Sequence, residues 1–432
     1  MDVKEHGSER SFFELSRFRQ TAVRAWVHIG LLLPLLLWLC GDRFVPSGDS
    51  LRDGVMRPRV DFMAFYASAL LFRESPKDLY NVVKEAAAES KATGLQISTN
   101  DLDFLPFPYP AIVAVAFVPF TLFAYHTAYF AVMFLNLILI GVDLWLLSNQ
   151  FQLGAYQNKI LVLCAFALLP VYACLLHGQV SFVILLLCIL AVSDLRQKRD
   201  RAGLWVGLLA FKPTVIPVWL FWLVVRRRWR ALLYALTVSG GMAILSVLLA
   251  GIEGTVGYIR LLQRMLQGNF LVALPQDMPT LRSLTHYFGL PFFVWAIAVS
   301  SVLLALWMTR SSTDWEYCSV VFGCFLIAPH LQLQEMVLLL IPITIALSIF
   351  RDNYSAFFRW SLLGVVLWVC LVRGLTGGTN GNHWPLMPAT TIVLFIWCLY
   401  MGNRVQHLGT GRPSSVDGLG LIPSTPRTGG EL

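Results

Sequence analysis

Few residues in this sequence are able to do chemistry, and most of them interrupt apolar runs. Asp61 stands in Val60-Asp61-Phe62-Met63-Ala64-Phe65-Tyr66. A carboxylate at a membrane face can act as a general base towards a hydroxyl. It can also cap a helix N-terminus, and the two roles are compatible. Lys212 stands in Leu209-Ala210-Phe211-Lys212-Pro213-Thr214, inside an apolar run. A buried ammonium needs a partner. A phosphate is one candidate, because lysine binds phosphate as a point charge. Snorkelling to the interface is the alternative, and the distance of Lys212 from both ends of its run weighs against it.

Three further polar groups separate apolar runs. His330, Gln332, Gln334 and Glu335 fall in Pro329-His330-Leu331-Gln332-Leu333-Gln334-Glu335. They offer donors and acceptors to a sugar or phosphate, or they form an ordinary polar connection between spans. In His177-Gly178-Gln179 the glycine suits a tight turn. Gln179 contacts substrate or satisfies backbone groups. Arg282 follows Pro275-Gln276-Asp277-Met278-Pro279-Thr280-Leu281. It suits an anionic lipid group, while Asp277 or Thr280 suits a helix cap.

The elements that must position these groups are apolar helices. Of the 432 residues 57% are hydrophobic and 13% charged, and the mean hydropathy is +0.65. Soluble domains are about a quarter charged. The composition therefore excludes a soluble enzyme, a disordered chain and a disulfide scaffold. It implies an all-α, polytopic transmembrane bundle of about ten to twelve spans.

The net charge is +8. Its basic clusters, residues 196–201 and 226–230, carry the cationic bias of cytoplasmic loops rather than a nucleic-acid surface. The 8 cysteines lie in or beside apolar runs without any CxxC and read as small apolar fillers. Residues 1–25 form a cytoplasmic N-terminal segment, and the first span, Trp26 to Cys40, is uncleaved because Trp38 and Leu39 make a poor cleavage site. Residues 26–401 form the membrane domain. Within it, residues 41–106 make a large first extracytoplasmic loop. There Phe62, Phe65, Tyr66, Ala69 and Phe72 mark one face of a short helix lying along the membrane surface. A run at Ser361–Val372 is a later span. The Gly-, Ser- and Pro-rich residues 402–432 form a disordered, cytoplasmic tail.

One stretch does not fit a simple crossing pattern. Both basic clusters require the same side, yet only Leu204–Val225 lies between them, too short for two crossings of about 20 residues. Either one flank breaks the charge rule, or this run enters and returns with Lys212-Pro213 at the turn. Prolines 119, 170, 213, 217 and 342 break other runs. Broken helices at membrane depth imply an enclosed cavity.

The order of these groups resembles the GT-C superfamily of integral-membrane glycosyltransferases. It resembles most closely the bacterial polyprenyl-phosphate-mannose-dependent alpha-mannosyltransferases. The resemblance rests on Asp61-Phe62 with Tyr66 and Ala67, Asp78-Leu79-Tyr80, Phe107-Pro108-Tyr109-Pro110 with Pro119, Gly178-Gln179, Phe211-Lys212-Pro213, Met278 to Leu284, and Pro329-His330 with its downstream glutamines. It covers the chain from about Trp26 to Tyr400.

The resemblance implies hexosyl transfer, with inversion, from a polyprenyl-phosphate sugar to an extracytoplasmic glycan or glycolipid, at a bacterial inner membrane. Asp61 matches the general base. Lys212, His330, Gln179 and Arg282 are the donor-binding candidates, with Lys212 and His330 as cations for the leaving phosphate. Tyr66, Tyr109, Gln334 and Glu335 are the acceptor-contact candidates. Gln276-Asp277 departs from the family wording, which leaves the donated sugar and the acceptor open. No metal ligand set and no cofactor is implied, and no Walker, dinucleotide or HExxH motif occurs. The competing reading is a lipid or sugar transporter, or a flippase, without catalysis. An envelope polysaccharide ligase or polymerase is disfavoured, because its large external loop falls late in the chain.

Overall fold

The computed structural model describes residues 60–101, 104–267, 270, 278–309, 314–349 and 386–410. The N-terminal segment, the Trp26–Cys40 span, Gln276-Asp277, the Ser361–Val372 run and residues 411–432 lie outside the described residues. No strand occurs among those described. The fold is an all-helical membrane protein.

The helices are α1 (Phe62–Glu74), α2 (Val82–Thr93), α3 (Ala111–Phe117), α4 (Tyr125–Gln150), α5 (Ala155–Ala167), α6 (Leu169–His177), α7 (Ser181–Arg196) and α8 (Ala202–Leu208). They continue with α9 (Ile216–Val225), α10 (Trp229–Leu266), α11 (Leu281–Tyr287), α12 (Phe292–Met308), α13 (Trp315–Ile327), α14 (Leu340–Ile349) and α15 (Leu386–Thr410). Short 3-10 turns join several of them, notably Leu209–Phe211 and Leu333–Leu339.

Two helices are long and apolar enough to cross a bilayer alone, α4 and α10. Helices α5 and α6 make a third crossing if taken together, bent by 57°. Pro170 opens α6, where a missing N–H costs nothing. Several of the other apolar elements have 10–17 residues. Pro110, Arg201, Pro291 and Asp314 stand just before four of them. Exposed apolar side chains line the two long helices, among them Phe134 and Trp145 on α4 and Leu248 and Ile252 on α10. Bare apolar surface of this extent suits lipid, not water.

The stretch between the basic clusters folds back on itself as a hairpin. Helix α8 leads in, the turn Leu209–Phe211 and Lys212 form the tip, and α9 leads back. The two mouths are neighbours, because Arg228 Nη2 donates to Leu195 O at 3.5 Å. Gly203 is pressed so closely to α10 that a Cβ there would overlap the Ala231 carbonyl oxygen. Further along, Ser239 Oγ donates to Gly207 O at 3.2 Å. Helix α9 returns along α13, where Trp222 and Arg226 meet Glu316. Arg196 bridges Gln150 O and Asp314 at the same end. The basic residues thus gather at one end of the helices. Asp61 and Gln179 lie at the other, about 24 Å away by the rise of α7.

Helix α1 differs from its expected place along a membrane surface. Phe62, Met63, Ala64, Phe65, Tyr66, Ala67, Ser68, Ala69 and Leu71 are all buried. Helices α2 and α3 cover it, so its small residues take a second packed face rather than water. Helix α15 runs to Thr410, past the boundary expected at Gly402. A single helical glycine costs only about 1 kcal/mol.

Helix α2 buries two carboxyl groups, Glu85 and Glu89. Burial, reinforced by the Glu85 charge, pushes Glu89 up to about 10, against one hydrogen bond from Leu105 N. The folded chain therefore holds a proton that the unfolded chain releases in the ordinary carboxyl range. Its contribution to stability is full in acid and is lost as pH rises towards about 10. Glu89→Gln is expected to raise the thermal midpoint in detergent more at pH 8 than at pH 5. Gly203→Ala is expected to lose about 1–3 kcal/mol by overpacking. Gly240→Ala, in open space on α10, should leave melting near that of the parent.

Candidate functional site

The site forms where three chain breaks meet the start of α1. Asp61 has helical backbone angles (φ −55°, ψ −25°) and its side chain makes no cap hydrogen bond. The carboxylate is free of local duty and turns to the bundle. Gln179 Nε2 donates to its Oδ2 at 2.7 Å, and Gln334 Nε2 donates to the same oxygen at 2.9 Å. His177 Nδ1 lies 3.4 Å from it. Among the described residues no hydrogen bond falls on Oδ1. Burial pushes the Asp61 carboxyl up. The neighbouring His177, the hydrogen bond from Gln179 and the Lys212 charge outweigh this and hold it below the usual carboxylate range.

Gly178 makes the first of these contacts possible. It takes a left-handed conformation (φ 62°) after α6, which an L side chain rarely adopts. A Cβ there would also meet Phe62 Cβ at 2.9 Å. The close approach puts His177 and Gln179 on either side of Asp61. Asn136 Nδ2 on α4 donates to Gln179 O at 3.0 Å and fixes this corner.

The hairpin tip supplies the second break. Lys212 Nζ forms an ion pair with Glu335 Oε1 at 2.7 Å and donates to Tyr109 OH at 3.0 Å. It also sits over the Tyr109 ring, 4.6 Å from the centroid. Snorkelling is thereby overturned: Lys212 is 5% exposed and its ammonium is paired internally. Tyr109 OH in turn donates to Gln179 Oε1 at 3.3 Å. A continuous polar chain therefore runs Glu335, Lys212, Tyr109, Gln179, Asp61, Gln334.

The third break, Pro329 to Gln332, precedes the Leu333–Leu339 turn. Glu335 Oε2 accepts from Gln332 N at 2.6 Å and closes a capping box. One carboxylate thus fixes the turn and the lysine together. His330 faces the site, and its Nδ1 has no hydrogen-bond partner among the described residues. Burial, with the charges of Lys212 and Arg282, holds His330 down to about 3. That favours the neutral imidazole over the cation expected beside a leaving phosphate. Low-dielectric surroundings and two nearby cations disfavour a third charge.

Asp61, Tyr109, Gln179, Lys212, His330 and Gln332 line a partly open recess, with Ala64, Phe65, Pro106 and Met265 as apolar walls. Two other expected residues stand elsewhere. Tyr66 OH donates to Phe123 O at 2.8 Å and its ring packs on Tyr125, so it ties α1 to the base of α4 and does not line the recess. Arg282 donates to Pro329 O at 2.9 Å and to Leu266 O. Its guanidinium braces the His330 segment against the end of α10. Thr280 caps α11, as one of the two expected candidates, by accepting from Ser283 N at 3.4 Å. Glu335 is buried beneath the recess, where it neutralises Lys212. His177 was legible only as a polar spacer between apolar runs. Its one signal was its position at the end of a broken span.

Two apolar grooves approach the site. One reaches Gly178 and Gln179 past Val113, Phe117, Val132 and Val183. The other runs from Pro213 along Met242, Ala243, Val247 and Ala250. Among the described residues no group of three or more His, Cys, Asp or Glu side chains could hold a metal ion.

The family profile described as Glycosyltransferase family 87 matches residues 107–329. That is just over half of the chain. The chain belongs to this glycosyltransferase family. No curated protein and no solved structure matches it. The matched region contains Tyr109, Gln179, Lys212 and Arg282. Asp61, His330, Gln334 and Glu335 lie outside it and join the same site only in the folded chain.

Tyr109→Phe removes the link between the Lys212 and Gln179 ends of the polar chain. It is expected to cost about 1–3 kcal/mol of stability, because a buried ammonium proton loses its acceptor. Thermal melting in detergent reads this directly.

Proposed function

We propose that this family 87 glycosyltransferase moves a hexose, with mannose the first candidate, from a polyprenyl-phosphate donor to an extracytoplasmic glycan or glycolipid. The reading is carried by one observation: Asp61 stands half-buried on the recess that Lys212 also lines, with its donors gathered on Oδ2. A carboxylate so held presents Oδ1 as a base towards the recess.

In this reading the acceptor hydroxyl gives its proton to Oδ1. Its oxygen bonds to the anomeric carbon as the bond from that carbon to the phosphate oxygen breaks. Polyprenyl phosphate leaves with the electron pair, and the configuration inverts. Lys212 meets the developing charge with its remaining N–H, since Glu335 and Tyr109 occupy two of three. The neutral His330 adds a hydrogen bond. The groove beginning at Pro213 suits the prenyl chain, because its apolar lining starts one residue from the ammonium. The positive-inside rule assigns the basic end to the cytoplasm of a bacterial inner membrane and Asp61 to the far side.

A transfer assay with purified protein tests this. It offers radiolabelled polyprenyl-phosphate mannose, glucose and arabinose with a panel of acceptors. Asp61→Asn should lower turnover by about 10²- to 10⁴-fold with donor binding nearly intact. Full activity in that variant would remove the base role. Lys212→Met combined with Glu335→Gln, which keeps the buried charge balanced, should weaken donor binding about tenfold or more. Unchanged affinity would leave Lys212 a structural ion-pair member. Donor binding without transfer from any sugar would favour a flippase.

A further inference from the structure

The three groups on Asp61 Oδ2 are not equivalent. Gln179 and Gln334 are neutral amides, so they orient the carboxylate without changing the charge around it. His177 is the one member of the three that can carry a positive charge. The other ionisable groups near Asp61 are Lys212, His330, Tyr109 and Tyr125. Lys212 is already paired with Glu335. His330 is held neutral. The tyrosines contribute no cation. His177 is therefore the only uncommitted source of positive charge among the described groups facing the base.

Its place in the fold suits that charge. His177 is the last residue of α6, and the carbonyl end of a helix favours a cation. The left-handed Gly178 that follows is pressed on Phe62, the residue next to Asp61. The His177 side chain is 26% exposed and that of Asp61 13%. The imidazole thus forms the more exposed half of the pair.

We propose that His177 is a positioning residue for the base: as an imidazolium it holds Oδ2 of Asp61, keeps the carboxylate ionised and leaves Oδ1 turned to the acceptor. This inference rests on the reading of Asp61 as general base. It assigns His177 no contact with substrate.

The test is the pH dependence of kcat/KM for the full-length protein in detergent, with polyprenyl-phosphate mannose or whichever donor of the panel is used. His177→Gln keeps a hydrogen-bond donor and removes the charge. Without the neighbouring cation the Asp61 carboxyl titrates higher, so less of it is ionised in acid. The acidic limb is expected to move up by about one pH unit, with kcat/KM on the alkaline plateau and donor KM changed less than about threefold. His177→Phe should lower the plateau as well, because it removes the donor. Should His177→Phe fail to fold, His177→Asn serves as the second neutral donor and should move the limb as His177→Gln does. An acidic limb that stays in place in His177→Gln, while Asp61→Asn is inactive, overturns this inference alone. Full activity in Asp61→Asn overturns the base reading and this inference with it. A purely structural His177 would lower the melting point without moving the limb.

Discussion

The Lys212 ammonium lies at the tip of an apolar hairpin, and an unpaired buried charge costs several kcal/mol. The rest of the site follows from satisfying it. Glu335 supplies the opposite charge at 2.7 Å, and its second oxygen closes the capping box that starts the Leu333–Leu339 turn. Tyr109 takes a second ammonium proton and passes its own to Gln179. Gln179 then orients Asp61. A single buried cation thereby couples three chain breaks to the first residue before α1. A buried ion pair of this kind contributes little net stability, but removing one partner is strongly destabilising. It fixes geometry more than it adds free energy.

The hairpin also explains why the chain can afford short helices. A span that ended at Lys212 in lipid would leave backbone groups unsatisfied. Here the turn faces the polar recess, and the broken backbone near Gly178 and Pro329 faces it too. Irregular backbone is gathered where protein, not hydrocarbon, surrounds it. The two long helices, α4 and α10, carry much of the exposed apolar surface. Stiff lipid-facing helices and a broken, polar interior are thus two parts of one solution to the same hydrogen-bonding constraint.

Charge is segregated along the same axis. The arginines and lysines of 196–201 and 226–230 sit with Asp314 and Glu316 at one end of the helices. At the other end Lys212 and Glu335 neutralise each other, Asp61 adds a further negative charge, and Arg282 is held by two carbonyl oxygens. The environment there keeps His330 neutral. Little uncommitted positive charge remains beside Asp61, which is why His177 gains weight.

Composition determined the membrane class and the all-helical fold, because 57% hydrophobic residues with 13% charge leave no other solvent for most of the chain. Local sequence also marked the breaks. Pro170 opens a helix, and Gly178 and Lys212-Pro213 each end one, for reasons that involve only their neighbours. The short spacing between two basic clusters was enough to pose the re-entrant hairpin as one of two choices. Partnership was not legible, because it depends on residues 118 and 273 positions away from Asp61. Sequence marked Asp61, Lys212 and His330 as costly residues. Only the tertiary structure decided that Lys212 is neutralised by Glu335, that His330 is uncharged, that Tyr66 and Arg282 serve as braces, and that His177 stands beside the base. A residue's type sets what it can do locally, whereas its charge state and partner are set by the dielectric and the neighbours that folding brings to it.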